Sequence, residues 1–277
     1  MGMRITTNVA SINAQRSMVN SQREMGRSFA QLSSGSRITK SADDAAGLAI
    51  SESLKSQMRS YTQASRNAND GISMVQVAEG GLNEISNILT RMRELGIQAS
   101  SDTVGERERG YINEEVQQMK SEMERIAKTT RFGRVHLIDG SGEKFDFQVD
   151  INNDDFQDRI SYDSGKTNAT IDELNVGGLD FSQKGGAQEA LTVLDDAQAR
   201  VNGFRANLGA LQNRLQSTVD NLGVSYENLA AANSRIRDAD IAMSTAEATR
   251  NNILLQASTG ALAQANQIPQ LAMKLIG

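Results

Sequence analysis

The sequence predicts a mainly α protein: a long antiparallel helical rod or coiled-coil bundle with a small β-hairpin region at its distal end. Three observations predict it. Proline, which breaks helix interiors, occurs once in 277 residues, at Pro269, where the usual ~5% would give about 14. Apolar residues recur at steps of three and four over long stretches, the spacing of a helix face packed on another helix. Strand-like alternation is confined to one segment, 131–186.

At the amino end Ile5, Val9, Ile12 and Val19 form one stripe, followed by Phe29 and Leu32. Ser33-Ser34-Gly35-Ser36 breaks that helix. Ser41-Ala42-Asp43-Asp44 resembles a capping box, with the Ser41 hydroxyl on an orphan amide and Asp44 reaching back. Val75, Ala78, Leu82, Ile85, Leu89 and Met92 then step by 3, 4, 3, 4, 3. Ile112, Val116, Met119, Met123 and Ile126 step by 4, 3, 4, 3. Between these seams, 99–110 holds Ser, Asp, Thr and two glycines, a loop joining two antiparallel helices.

Phe145, Phe147, Val149 and Ile151 alternate with polar residues, as in a half-buried strand. Val135–Ile138 is strand-like, and Asp139-Gly140-Ser141-Gly142 is turn chemistry, so a hairpin over 135–151 is expected. Ile160 and Tyr162 suggest a third strand, and 165–186 reads as mostly loop. From Leu208 the apolar steps run 3, 4, 4, 3, 4, 3 through Leu211, Leu215, Val219, Leu222, Tyr226 and Leu229. The doubled four is a stutter that relaxes supercoiling. A single helix over 187–236 would be roughly 75 Å long. Ile241, Leu255 and Leu262 give the carboxyl end a stripe matching the amino one.

Composition excludes most chemistry. Lys+Arg is 29 against 34 for Asp+Glu, a net charge of −5, so the chain lacks the basic footprint of a nucleic-acid binder. There is no cysteine and one histidine, His136, which removes thiolate and histidine-cluster metal sites. No stretch of 18 apolar residues suggests membrane insertion. Gly165-Lys166-Thr167 is the tail of a phosphate loop, but Ile160 stands where its first glycine should be. Asp150, Asn152 and Asp154 mimic the first ligands of a calcium loop. Asp155 and Ser161 occupy its glycine and glutamate positions, which leaves a solvated acidic turn. No catalytic constellation can be argued from spacing, and no cofactor is expected.

The termini point elsewhere. From Asn251 to Gly277 the one charge is Lys274, yet glutamines, serines and asparagines interrupt the apolar residues. The segment is too polar for lipid and too uncharged for an ordinary solvated helix. Two such helices bury too little apolar surface to hold alone, so more copies must cover them. Self-association is expected to use Ile5, Val9, Ile12, Val19, Ile241, Leu255 and Leu262.

Long runs at both ends resemble the bacterial flagellins. They are Gln31–Ile38 (QLSSGSRI), Asp43–Ile50 (DDAAGLAI) and Arg66–Ser73 (RNANDGIS), then Leu208–Leu215 (LGALQNRL), Asn228–Asp240 (NLAAANSRIRDAD) and Gln256–Asn266 (QASTGALAQAN). The likeness covers about 1–165 and 187–277. It implies a secreted, extracellular filament subunit, exported through the flagellar type III apparatus without a cleaved signal. It implies a terminal helical inner-tube domain (1–40 paired with 237–277). A rod of 41–130 and 187–236 would carry a hairpin and loop region at 131–186, with the large outer variable domains absent. In this resemblance the hairpin, here 135–151, is linked to filament supercoil switching. Implied partners are further copies in a helical filament, a flagellin export chaperone, the filament cap and the hook-filament junction proteins. The flagellin-sensing Toll-like receptor of vertebrates is implied by Arg91-Met92-Arg93-Glu94-Leu95-Gly96-Ile97, with Arg91, Leu95 and Glu115 as rod-face contacts. Gly96 departs from the usual alanine there. A hook–filament junction protein and a secreted receptor agonist are the rival readings.

Overall fold

The structure, a computed structural model, describes residues 7–141 and 144–276. Among them are five α-helices and two small antiparallel sheets. The helices are α1 (Val9–Ser34), α2 (Ala45–Ala99), α3 (Glu106–Thr129), α4 (Lys184–Arg237) and α5 (Ile241–Ile276). The strands are β1 (Arg131–Phe132), β2 (Val135–His136), β3 (Lys144–Gln148) and β4 (Arg159–Asp163), and a short 3-10 turn covers Ser164–Lys166. The mainly α class is confirmed. The chain divides into two compact units, one of residues 1–56 with 228–277 and one of residues 57–227.

In the second unit the heptad seams are the core. Val75, Leu82, Ile85, Leu89 and Met92 of α2 join Val116 and Met123 of α3 and Leu194, Val201, Leu208 and Leu215 of α4 in one buried cluster. Charged side chains finish the backbone around it. The Arg109 guanidinium donates to the carbonyls of Ala99 (2.8 Å) and Ser101 (2.9 Å), where α2 ends, neutralising carbonyls that a helix C-terminus leaves unpaired. Lys120 is buried, and its Nζ donates to Gly177 O (2.7 Å) and Leu179 O (3.1 Å) of the loop before α4. Burial pushes the Lys120 amine down.

The expected hairpin over 135–151 is not formed. β2 pairs instead with β1, across a turn in which Gly133 has φ 63°. β3 pairs with β4, matching Phe145 to Tyr162 and Phe147 to Ile160. The segment read as a third strand is thus the true partner of β3. Apolar alternation marks a strand but carries no information on which strand it meets. Close packing favours this arrangement: a Cβ on Gly81 of α2 would lie 2.6 Å from Thr130 Oγ1 and 3.0 Å from Ile138 Cδ1. The turn after α3 therefore rests directly on α2.

In the first unit α1 and α5 pack antiparallel, with Asn8 Nδ2 donating to Ala265 O at 2.7 Å and Ala239 N to Gly35 O at 2.9 Å. Gly35, in the left-handed region at φ 67°, ends α1. The breaks α1–α2 and α4–α5 lie side by side, bridged at Ser36 and Asp238. The Arg37 guanidinium donates to Ile236 O (2.8 Å) in the last turn of α4. The cap of α2 differs from the expected box. Asp44 itself is the cap, its Oδ1 accepting the Gly47 N–H at 2.8 Å, and Ser41 lies in the turn before it. Asp43 Oδ2 holds that turn through the Thr39 hydroxyl (2.9 Å) and the Lys40 N–H (3.0 Å), which keeps the Asp43 carboxyl below the usual range.

Candidate functional site

The α1–α5 seam is built from small and polar residues. Ser11, Ala14, Met18, Ser21, Met25, Ser28 and Leu32 are the sheltered positions of α1, at steps of three and four. On α5 they are Ser244, Ala248, Asn251, Leu255, Ser258, Leu262 and Ala265. Small residues let two helices approach closely, and Met18, Met25, Leu32, Leu255 and Leu262 fill the rest of the seam while other large apolar side chains are left outside. Val9 (53% exposed), Ile12 and Val19 stand in solvent, as does Phe29. Ile241, Met243, Ile253 (61%) and Leu254 do so on α5. Ile241, Ile253 and Leu254 form one open, mostly apolar face with Ala242, Thr245, Ala246, Thr249 and Arg250.

The seven residues expected to serve self-association therefore separate. Val9, Ile12, Val19 and Ile241 are exposed, whereas Leu255 and Leu262 are half-buried in the seam itself. Ile5 lies outside the described residues. Sequence reasoning missed Met243, Ile253 and Leu254. Their signal was present: an Ile-Leu pair in a stretch with almost no charge. Single-sequence periodicity could not say which of two apolar stripes a helix turns inward.

Arg91, Leu95 and Glu115 also separate. Arg91 donates to Glu94 Oε2 (3.0 Å) and to Glu115 Oε1 (3.2 Å), tying α2 to α3 at the surface. Leu95 is 2% exposed, in the core. Gly96 sits against α4, where a Cβ would lie 3.1 Å from Leu191 Cδ2. Among the described residues no group of three or more His, Cys, Asp or Glu could hold a metal ion. None of their helices is long and apolar enough to cross a membrane. The acidic turn is closed on itself: Asp154 Oδ1 accepts the N–H groups of Phe156 and Gln157, and Asp158 Oδ2 accepts that of Asp154.

A family model described as the bacterial flagellin N-terminal helical region matches residues 5–143, and one for the C-terminal helical region matches 191–276. The chain belongs to the bacterial flagellin family. It is 43% identical to a flagellin of Halalkalibacterium halodurans, over 99% of this chain and all of that one. It is 37% identical to a flagellin of Bacillus subtilis at the same coverage. It is 39% identical to the flagellar filament 33 kDa core protein of Treponema phagedenis, over 99% of this chain and all of that one. Among solved structures it is similar to a Bacillus cereus flagellin, with a TM-score of 0.51 and 29% identity, over 61% of this chain and 94% of that one. The family is structural rather than enzymatic, in keeping with a site made of apolar surface.

Proposed function

We propose that this chain is a subunit of the extracellular bacterial flagellar filament and that the outer faces of α1 and α5 drive its assembly. The observation that carries the reading is the inverted burial of the first unit. Its helices meet through Ser, Ala, Asn, Met and three leucines while Val9, Ile12, Ile241 and Ile253 face water. Burying a fully exposed Val or Ile gains about 1.5–3 kcal/mol, and neighbouring copies supply the cover. In this reading 1–40 and 237–277 form the inner tube and 41–236 the surrounding layer. The same uncovered faces need an export chaperone before secretion, and subunits at the filament's two ends meet the junction and cap proteins.

Purified protein left to polymerise, viewed by electron microscopy with limited proteolysis in parallel, tests this. Filaments are expected, with both ends cleaved in monomer and protected in polymer. Equal cleavage of the ends in the two states would overturn the assembly role of α1 and α5.

A second reading concerns the exposed Arg91–Glu115 pair, which supports recognition of soluble monomer by the flagellin-sensing Toll-like receptor. Leu95 is buried and acts there by holding α2 in place. A reporter assay is expected to lose response to Arg91→Ala combined with Glu115→Ala, while Leu95→Met retains it. An unchanged response to the double variant would dismiss the receptor role.

A further inference from the structure

Phe156 is 83% exposed, the most exposed of the large apolar side chains described. It does not sit on a loose tip. Besides the Asp154 and Asp158 bonds that close its turn, Arg159 donates to Asn153 Oδ1 (2.6 Å) and Gln148 Oε1 (3.2 Å) and pairs with Asp155. The chain holds an aromatic ring in water on a hydrogen-bonded turn, flanked at the surface by Asp154 and Asp155 and closed from within by the buried Asp158. A rigid, solvated aromatic costs little further ordering when it enters a partner.

A receiving groove is present in the same unit. Tyr61, Leu222 and Tyr226 line an open groove of about 350 Å³ between α2 and α4, together with Arg66 and Gly223. A Cβ on Gly223 would meet nothing within 4 Å. Among the described residues neither Arg66 nor Arg59, two turns away, makes an ion pair, so this edge of α2 offers two guanidinium groups to an acidic turn, although Tyr61 itself feels the charge of Asp150. Knob and groove open on opposite flanks of α2. Ser60, Gln63 and Asn67 face the 148–153 segment leading to Phe156, whereas Thr62, Ser65 and Arg66 face the groove. Residues two apart on a helix point about 200° apart.

We propose that Phe156 of one copy inserts between Tyr61 and Tyr226 of the next copy, which brings the acidic turn over Arg66. Two different patches on opposite flanks make a heterologous contact, the kind that propagates into a helical polymer rather than closing a dimer. This contact is separate from the terminal helices and rests on the reading of the chain as a filament subunit.

The chain has no cysteine, so Phe156→Cys with Gly223→Cys introduces two thiols and no others. Filaments of this double variant, treated with a short bis-maleimide, are expected to give a ladder of covalent oligomers. Dilute monomer should give none, and neither single variant a ladder. Filaments without a ladder, or a cross-link within the dilute monomer, would overturn the contact and leave the filament reading intact. Wild-type protein that never polymerises would overturn the filament reading itself. Phe156→Ala, exposed and foldable, is expected to raise the critical concentration for polymerisation about tenfold with unchanged monomer melting. A critical concentration equal to wild type would overturn the proposal even if the double variant fails to assemble.

Discussion

The two compact units use the same heptad spacing to opposite ends. In residues 57–227 the seam positions are Leu, Ile, Val and Met, and Leu82, Ile85, Leu208 and Leu215 are almost wholly buried. In the unit of residues 1–56 and 228–277 the α1–α5 seam is Ser, Ala, Asn and a few larger residues, and Val9, Ile12, Phe29, Ile241, Ile253 and Leu254 face solvent. The first arrangement satisfies itself within one chain. The second leaves large apolar side chains open to solvent. Helical periodicity thus identifies a packing face, while side-chain size on that face decides whether the partner lies in the same molecule.

The sharpest break of this contrast is a pair of truncations. Leu82→Ala in the core is expected to cost about 3 kcal/mol of stability, read as a lower urea midpoint of monomer. Ile12→Ala on the open face is expected to cost under ~0.5 kcal/mol, and Ile12→Asp with Ile253→Asp to stop polymerisation. Monomer stability equally sensitive at Leu82 and Ile12 would erase the distinction.

Lys120→Ala comes next. It removes the Lys120 donor from the carbonyls of Gly177 and Leu179, leaving Leu179 O only the longer bond from Gln117 Nε2, at about 1–3 kcal/mol. Hydrogen exchange is expected to speed up across 177–181 in the larger unit and stay unchanged in α1 and α5. In the terminal unit, Asp44→Ala removes the cap of α2 and is expected to cost about 1 kcal/mol, seen as faster exchange at residues 45–48.

The smallest effect is a pH dependence, read here on two pairs of the larger unit. The hydrogen bond from Arg93 lowers the Asp195 carboxyl, and that from Lys184 lowers Asp102. A carboxyl whose folded pKa is lowered contributes stability above its unfolded value of about 3.9. That contribution is lost as pH falls through the lowered folded value. Both pairs are exposed, so the effect is modest and salt weakens it. Acid titration of monomer melting should flatten slightly in Asp195→Asn, and an unchanged acid limb would show that this pair contributes nothing.

Much of the fold was legible. The seams at 75–92 and 112–126, and that from Leu208 to Leu222, carried their burial in their spacing, whereas Tyr226 of the last seam is exposed; the break at 33–36 was legible from its serines and glycine. The strand at 145–149 was legible as a strand, but its partner was not: Val135–His136 and Ile160–Tyr162 offer the same alternation, and backbone register is settled only by which turn closes against α2. The capping role passed from Ser41 to Asp44 for a similar reason, since three neighbouring polar side chains compete and geometry selects one. The candidate site was legible as composition, an end rich in apolar residues and poor in charge, but not as orientation.

By itself, then, the sequence determined where helices run, which residues are free of catalytic or metal chemistry, and that the termini carry surplus apolar surface. The tertiary structure alone decided which stripe of α1 and α5 turns inward, which strands pair, and that Leu95 is buried while Arg91 and Glu115 stay at the surface. Local spacing fixes a side chain's direction about its own helix axis. What lies in that direction depends on residues up to 257 positions away, as in the Asn8–Ala265 bond, and only packing brings those together.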